Sequence, residues 1–258
     1  MSAALRVLEY NAQVYRRTWR GGLVSTFLAP VLFLASMGFG LGRFVDSAAT
    51  ASGPLAGIPY AVFIAPGLLA AQAMQTAGFA STYPIMGRAV WDRIYHGMLA
   101  TPITIPGIVL GELAWIAVRL TIVTGAFLLV MAGFGLVRSP LGLLAVPAAV
   151  LTGLAFAAPI IAFTATQRDD QGFNAIFRFG ITPLFLFSGT FFPIEQLPTV
   201  IRPLAWMSPL WHGVELARGL VLGQADLPAA LVHLAALAAF VVVGTLAALV
   251  TFRRALVR

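Results

Sequence analysis

Six stretches of this chain, 21–42, 58–83, 107–135, 141–166, 173–192 and 227–252, are dominated by apolar residues and are about twenty residues or longer. A helix of about 20 residues crosses the ~30 Å hydrocarbon core of a bilayer. In that solvent each backbone N–H and C=O must find its partner within the protein, so an apolar stretch this long reads as a helix. The chain is 10% charged and 60% hydrophobic, whereas a soluble domain carries about 25% charged residues. It is therefore read as an all-α integral membrane protein with six transmembrane helices in a single domain over residues 1–258.

Composition excludes several chemistries. There is no cysteine, so disulfides, thiolate metal sites and cysteine nucleophiles are ruled out. All sixteen cations are arginine. Without lysine the chain has no P-loop, whose lysine reaches the phosphates, and no Schiff base. The net charge of +7 comes from arginines that flank apolar spans, which points to anionic membrane lipids and not to nucleic acid. His96, His212 and His233 are expected in three different layers, so no metal site is expected. The first twenty residues lack the uninterrupted apolar core of a cleavable signal peptide.

In chain order, residues 1–20 read as an amphipathic helix. Leu5, Leu8, Ala12, Tyr15 and Trp19 recur on one face, with Arg6, Glu9, Gln13, Arg16 and Arg20 opposite, a pattern suited to the membrane interface. Span one, 21–42, is followed by an external loop over 43–57 containing Asp46 and Pro54. In span two, Gln72, Gln75, Thr76, Phe79 and Tyr83 share a face. That face should look toward other helices or a cavity, because unpaired polar groups are costly in lipid. Residues 84–102 interrupt the apolar pattern. Arg88, Asp92, Arg93 and His96 alternate there with Trp91, Ile94, Tyr95 and Met98 at helical spacing.

Span three carries Glu112 and Arg119. A mid-membrane arginine costs about 2.5–3.5 kcal/mol on insertion scales, so Arg119 should face a partner or water. Glu112 lies about 10 Å away along the axis, too far for direct contact without long side-chain reach. Pro147 and Pro159 are expected to kink span four. Gly38…Gly42 and Gly107…Gly111 match GxxxG, a weak signal among 25 glycines.

After span five, residues 188–223 form neither a span nor an ordinary polar loop. Pro193, Pro198, Pro203 and Pro209 divide the stretch. Ser208-Pro209 is a helix start and Gly223 a natural stop. The helix between them is too short and too charged to cross. It should dip into the membrane surface or lie on it, with Leu210, Trp211, Val214, Ala217 and Val221 on one face.

Arginine distribution sets the orientation. Six spans put both termini on one side. That side, with 84–106 and 167–178, holds eleven arginines, against four (Arg43, Arg138, Arg202 and Arg218) on the other. The excess predicts cytoplasmic termini and an external 193–223 segment.

The order of these elements, with F-F-P-I-E-Q-L-P and L-A-W-M-S-P-L-W-H-G-V-E-L-A-R after span five, resembles the membrane subunit of an ABC-2 type exporter, in particular the nodulation-factor export and daunorubicin-resistance permeases. The resemblance covers nearly the whole chain. Its most specific residues are Phe192, Pro193, Leu197, Pro198, Trp206, Pro209, His212 and Arg218, with Leu99-Ala100-Thr101-Pro102. The segment 88–95 is less charged than in many relatives. The resemblance implies a bacterial inner-membrane permease. It would act as a pair with two copies of an ATP-binding cassette subunit, which would bind the ATP and Mg. The chain itself would bind no cofactor, catalyse no reaction and export an amphipathic cargo: a glycolipid, a lipid-linked saccharide or a hydrophobic drug. Residues 84–102 would be the coupling segment, with Trp91, Ile94, Tyr95 and Met98 filling a groove on the ATPase and Arg88, Asp92 and Arg93 at its rim. Gln72, Gln75 and Phe79 of span two, with Phe177, Phe185 and Phe187 of span five, would wall the route under a cap of external helices.

Two other readings stand beside this one. A secondary transporter or channel would use Glu112 and Arg119 as its ion path, although no repeat relates the two halves. An intramembrane serine protease would pair Ser188 with His233, but Ser188 lacks the glycine two residues before it that such enzymes use.

Overall fold

The computed structural model describes residues 2–48 and 57–257, and within the first helices the side chains of residues 19–26, 29, 39 and 48 lie outside the description. Pro54 and Arg258, and the side chains of Trp19 and Arg20, are therefore outside the described residues. The helices are α1 (Ala3–Leu34), α2 (Gly42–Ala48), α3 (Tyr60–Ser81), α4 (Tyr83–Met86), α5 (Ile94–Leu99), α6 (Ile105–Gly133), α7 (Ala145–Thr164), α8 (Gln171–Ala175), α9 (Thr182–Phe187), α10 (Arg202–Trp206), α11 (Pro209–Leu222) and α12 (Leu227–Leu256). No strand occurs among the described residues.

Four helical stretches are long and apolar enough to cross a membrane: Tyr60–Trp91, Ile105–Gly133, Pro140–Thr164 and Leu227–Leu256. They coincide with the spans read at 58–83, 107–135, 141–166 and 227–252. The first runs further than expected. It steps at Thr82, whose hydroxyl donates to the Gly78 and Phe79 carbonyls, and Pro84 starts a new turn there because it has no N–H to give. Helical winding then continues through a π-type stretch, Gly87–Trp91.

The region read as span five is shorter than expected. Helical structure runs from Gln171 to Phe187, about 25 Å, and residues 188–192 leave the helix. Gly189 takes a left-handed φ of 78°, and the chain turns inward to lay Thr190 on Gly67 of α3.

The amino-terminal region also differs from its reading. The interfacial helix and span one are joined in α1, which winds on through Ala35–Leu41 into α2. Part of the expected loop after residue 42 is thus helical, and Asp46 caps α3 by accepting from the Tyr60 N–H at 2.8 Å. The helix read as interfacial is not free of the bundle. It packs parallel to α6, with Ala3 on Gly107, Val7 on Gly111 and the Tyr15 ring against Trp115 at 5.5 Å. Val7 is fully buried. The Gly107…Gly111 pair is therefore the seat for α1: two bare Cα atoms let another backbone approach closely, as in membrane helix pairs.

The centre of the bundle is α7, which packs on α3, α6, α11 and α12. Its contact with α12 is the most extensive. A Cβ on Gly244 would meet the Pro159 ring and backbone nitrogen at 2.6 Å. The outward side of α12 exposes Leu231, Val232, Val242, Val243, Leu246 and Val250, as a lipid-facing helix does.

Gly244→Val forces a branched side chain onto the rigid Pro159 backbone, at a cost of about 1–3 kcal/mol. The expected result is a lower thermal unfolding midpoint in detergent, with Val243→Leu, on the exposed face, unchanged.

Candidate functional site

Three groups of residues named from sequence are brought together by this packing. The first lies below the end of the α3–α4 stretch. Arg93 adopts a left-handed conformation, φ 51°, which stops the preceding helix and starts α5 in a new direction. This turn places Tyr95 inside the bundle, fully buried, with its ring 5.8 Å from Phe252 of α12. The Tyr95 hydroxyl donates to Glu112 Oε1 at 3.0 Å, and Arg88 forms an ion pair with the same oxygen. Burial, reinforced by the Glu112 carboxylate, holds the Tyr95 phenol well above its ordinary pKa, so it remains a donor.

This arrangement corrects one expectation. Tyr95 cannot fill a groove on a partner, because it is an internal strut. The charge partner of Glu112 is Arg88 and not Arg119. Glu112 is 1% exposed and held by Arg88 and Tyr95, while Arg119 is half-buried and has no ion pair among the described residues. What the turn leaves exposed is Trp91, Asp92, Arg93 and His96, with Ile94 and Met98 half-buried. Trp91 is 57% exposed and rests on Gly87.

The second group lies on α3. Most of this helix is fully buried, yet Gln72, Gln75 and Thr76 are half-buried and Phe79 is 57% exposed. The polar face read from sequence is therefore the side that this chain leaves uncovered. Gln72 donates to Thr76 at 3.5 Å. Phe79 stacks on Phe177 with centroids 4.6 Å apart, which joins the two proposed walls at one point. Phe185 packs instead on Phe191, and Phe187 is exposed without a ring partner among the described residues.

The third group is the segment after residue 188. Ser208 caps α11, its Oγ accepting from the Leu210 N–H at 3.1 Å, Pro209 takes the first turn, and Gly223 closes the helix at φ 71°. Leu210, Val214, Ala217 and Val221 are fully buried against α3, α7 and α12. The helix is sunk into the bundle and does not lie on its surface. Phe192, Ile194, Leu197, Ala205 and Trp211 form a small core of their own. Pro198 and Trp206 stay exposed, and Pro193 is half-buried.

Arg218 ties this group together. Its guanidinium donates to the Gly189 carbonyl at 2.7 Å and the Phe63 carbonyl at 3.4 Å, pairs with Glu215 at 2.5 Å and lies 4.0 Å from the centre of the Phe63 ring. A buried arginine is tolerable because its donors meet acceptors and its flat face meets an aromatic ring. His212 and His233, expected in separate layers, touch through their Nδ1 atoms at 2.8 Å, with the Trp211 ring edge-on to both. The described residues hold no cluster of three or more metal-ligating side chains. Ser188 bonds to Ser208 at 3.0 Å and His233 to His212, so no Ser188–His233 dyad forms. Sequence reasoning missed the Arg88–Glu112 pair because the partners lie on different helices and have no periodic signature.

Replacing Glu112 with Ala leaves the half-buried Arg88 without its counter-charge, at a cost of up to about 3 kcal/mol. The expected result is loss of monodisperse protein on size exclusion, with Arg88→Met/Glu112→Leu regaining most of it.

The family model described as ABC-2 type transporter matches residues 4–222. Nodulation protein J of Rhizobium leguminosarum bv. viciae is 32% identical over 98% of this chain and 95% of its own length. Nodulation protein J of Sinorhizobium fredii is 34% identical over 92% of this chain and 88% of its own, and that of Bradyrhizobium diazoefficiens is 32% identical over 98% and 93%. With the family model spanning most of its length and relatives above 30% identity covering nearly all of it, this multi-pass membrane chain belongs to the ABC-2 type transporter family.

Proposed function

We propose that this chain is the membrane subunit of an ATP-driven exporter, that two copies of it enclose the route, and that two separate ATP-binding subunits dock at the end carrying residues 88–99. The observation that carries this reading is the uncovered polar stripe of Gln72, Gln75, Thr76 and Phe79 on an otherwise buried α3. Polar side chains facing lipid are unfavourable. A second copy laid against this stripe would cover it and enclose a path lined by amides and aromatic rings. Such a lining suits an amphipathic cargo, a glycolipid, a lipid-linked saccharide or a hydrophobic drug, because amides meet hydroxyls and flat rings meet apolar or sugar faces.

In this reading the energy comes from a separate ATPase chain, in keeping with the absence of a P-loop lysine from these residues. ATP and Mg belong to that partner. Trp91 and Asp92, outside the lining of the neighbouring cleft, lead the exposed docking face, and the Arg88–Glu112–Tyr95 cluster beneath it transmits force to α6 and α12. The topology of this reading is six spans with both termini in the cytoplasm of a bacterial inner membrane. The 193–223 segment is then external, closing the far end of the route.

Two measurements test this. Single cysteines are placed in the cysteine-free chain at Gln196 and at Asp92. In intact cells an impermeant maleimide is expected to label the first and not the second, and the reverse pattern would sink the topology. Trp91→Ala is expected to leave the permease folded while weakening co-purification of the ATPase by about 2 kcal/mol, roughly thirty-fold, and to reduce export. Normal association and export in this variant would remove the 88–99 face from coupling.

A further inference from the structure

A cleft of about 710 Å³ opens at the same end of the bundle, between the turn before α5, the turn after α7 and the last turns of α12. Four basic side chains line it: Arg93, His96, Arg168 and Arg254. None of the three guanidinium groups makes an ion pair or a hydrogen bond to another described residue. Among the described residues no carboxylate lines the cleft. The nearest acids in sequence are Asp92, Asp169 and Asp170. Asp169 accepts from the Gln171 N–H at 3.2 Å, and none of the three is part of the lining. Arg93 enters the cleft from its left-handed backbone, a conformation few non-glycine residues adopt.

Above the cleft α12 continues as a lipid-facing helix. Leu246, Val250 and Arg254 stand at four-residue steps and so lie along one side of it. Leu246 is 58% and Val250 50% exposed. An uncompensated cationic cleft thus sits directly beneath an exposed apolar track at the end of a membrane span. A free anion or an acidic peptide would use the cations and leave the track unused. A phospholipid uses both: its phosphate meets the guanidinium forks and its acyl chains run up the track. Basic pockets between membrane helices on the cytoplasmic side bind anionic headgroups in this way.

The geometry points to a binding site for one anionic phospholipid per chain, with Arg93, Arg168 and Arg254 on the phosphate, His96 at the rim and the acyl chains against Leu246 and Val250. The placement in the cytoplasmic leaflet rests on the topology proposed above; the binding itself does not. Because three segments meet at the cleft, an occupant would cross-link the 88–99 face to α7 and α12.

The test is native mass spectrometry of the full chain in neutral detergent, titrated with phosphatidylglycerol or phosphatidylcholine and without any ATPase present. One phosphatidylglycerol is expected to be retained per chain in preference to phosphatidylcholine. Arg93→Gln/Arg168→Gln/Arg254→Gln is expected to lower that retention about tenfold or more. The corresponding triple lysine variant, which keeps the charge, and Arg138→Gln, outside the cleft, are expected to retain the lipid. Inorganic phosphate at matched ionic strength is expected not to displace it.

Equal retention by the glutamine variant overturns the proposal, as does equal loss in the glutamine and lysine variants. Displacement by inorganic phosphate assigns the cleft to a soluble anion and also overturns it. If lipid retention is unchanged in the glutamine variant while a separate ATPase pull-down fails, the cleft is a protein contact. Failure of the lipid assay leaves the Trp91 result standing, so the two readings fail separately.

Discussion

Close backbone approach at α7 is the constraint on which the rest of the structure depends. In lipid there is no hydrophobic force between helices, so they associate through van der Waals contact and a few polar bonds, and both demand short distances. The α12 backbone reaches α7 where Gly244 meets Pro159. That pairing also uses a position on α7 whose backbone lacks an N–H. With α12 seated there, α3, α6 and α11 pack against the remaining sides of α7. α11 is too short to cross a bilayer and keeps its place only because helices surround it. Irregular backbone such as residues 188–201 is tolerated at membrane depth on the same condition.

Within this frame the α3–α4 stretch is pinned near both ends by arginine. Near its start, Arg218 of α11 reaches the Phe63 carbonyl and ring and the Gly189 carbonyl. At its other end, Arg88 and Tyr95 converge on Glu112 of α6. Each cluster would be expensive with one member missing, because the desolvation of a charge is repaid only by partners in good geometry. Between the two pins runs the polar stripe of Gln72, Gln75 and Thr76. Under the proposed function, an element held near both ends, with this stripe between, would link the two ends of the bundle beside the surface where a second copy would sit.

The segment over residues 171–192, helical as far as Phe187, is less regular. It meets α3 at Phe79–Phe177 and again through Thr190 on Gly67. Between these contacts it winds as a π-type turn and exposes Phe179, while Ile181 packs on Gly78 of α3. π-type turns are often found at functional sites, and here one lies in the helix that, with α3, forms the proposed wall.

Much of this was legible in the residues alone. Apolar runs at 58–83, 107–135, 141–166 and 227–252 correspond to the long helices because lipid admits no other backbone solution for such runs. The cap and stop of α11 were readable from Ser208-Pro209 and Gly223 because capping is a local matter of side-chain oxygen, missing N–H and left-handed φ. The α3 polar face followed from helical spacing. Other features were decided by tertiary structure. Periodicity made Tyr95 look like part of an exposed apolar face, but the turn at Arg93 buried it. His212 and His233 looked remote until α11 sank into the bundle. Gly107 and Gly111 were two glycines among many until α1 lay against them. In each case the sequence specified what a residue could do within its own helix turn. Which neighbour it met depended on how separate helices crossed, and that is fixed by the shapes of several surfaces packed at once.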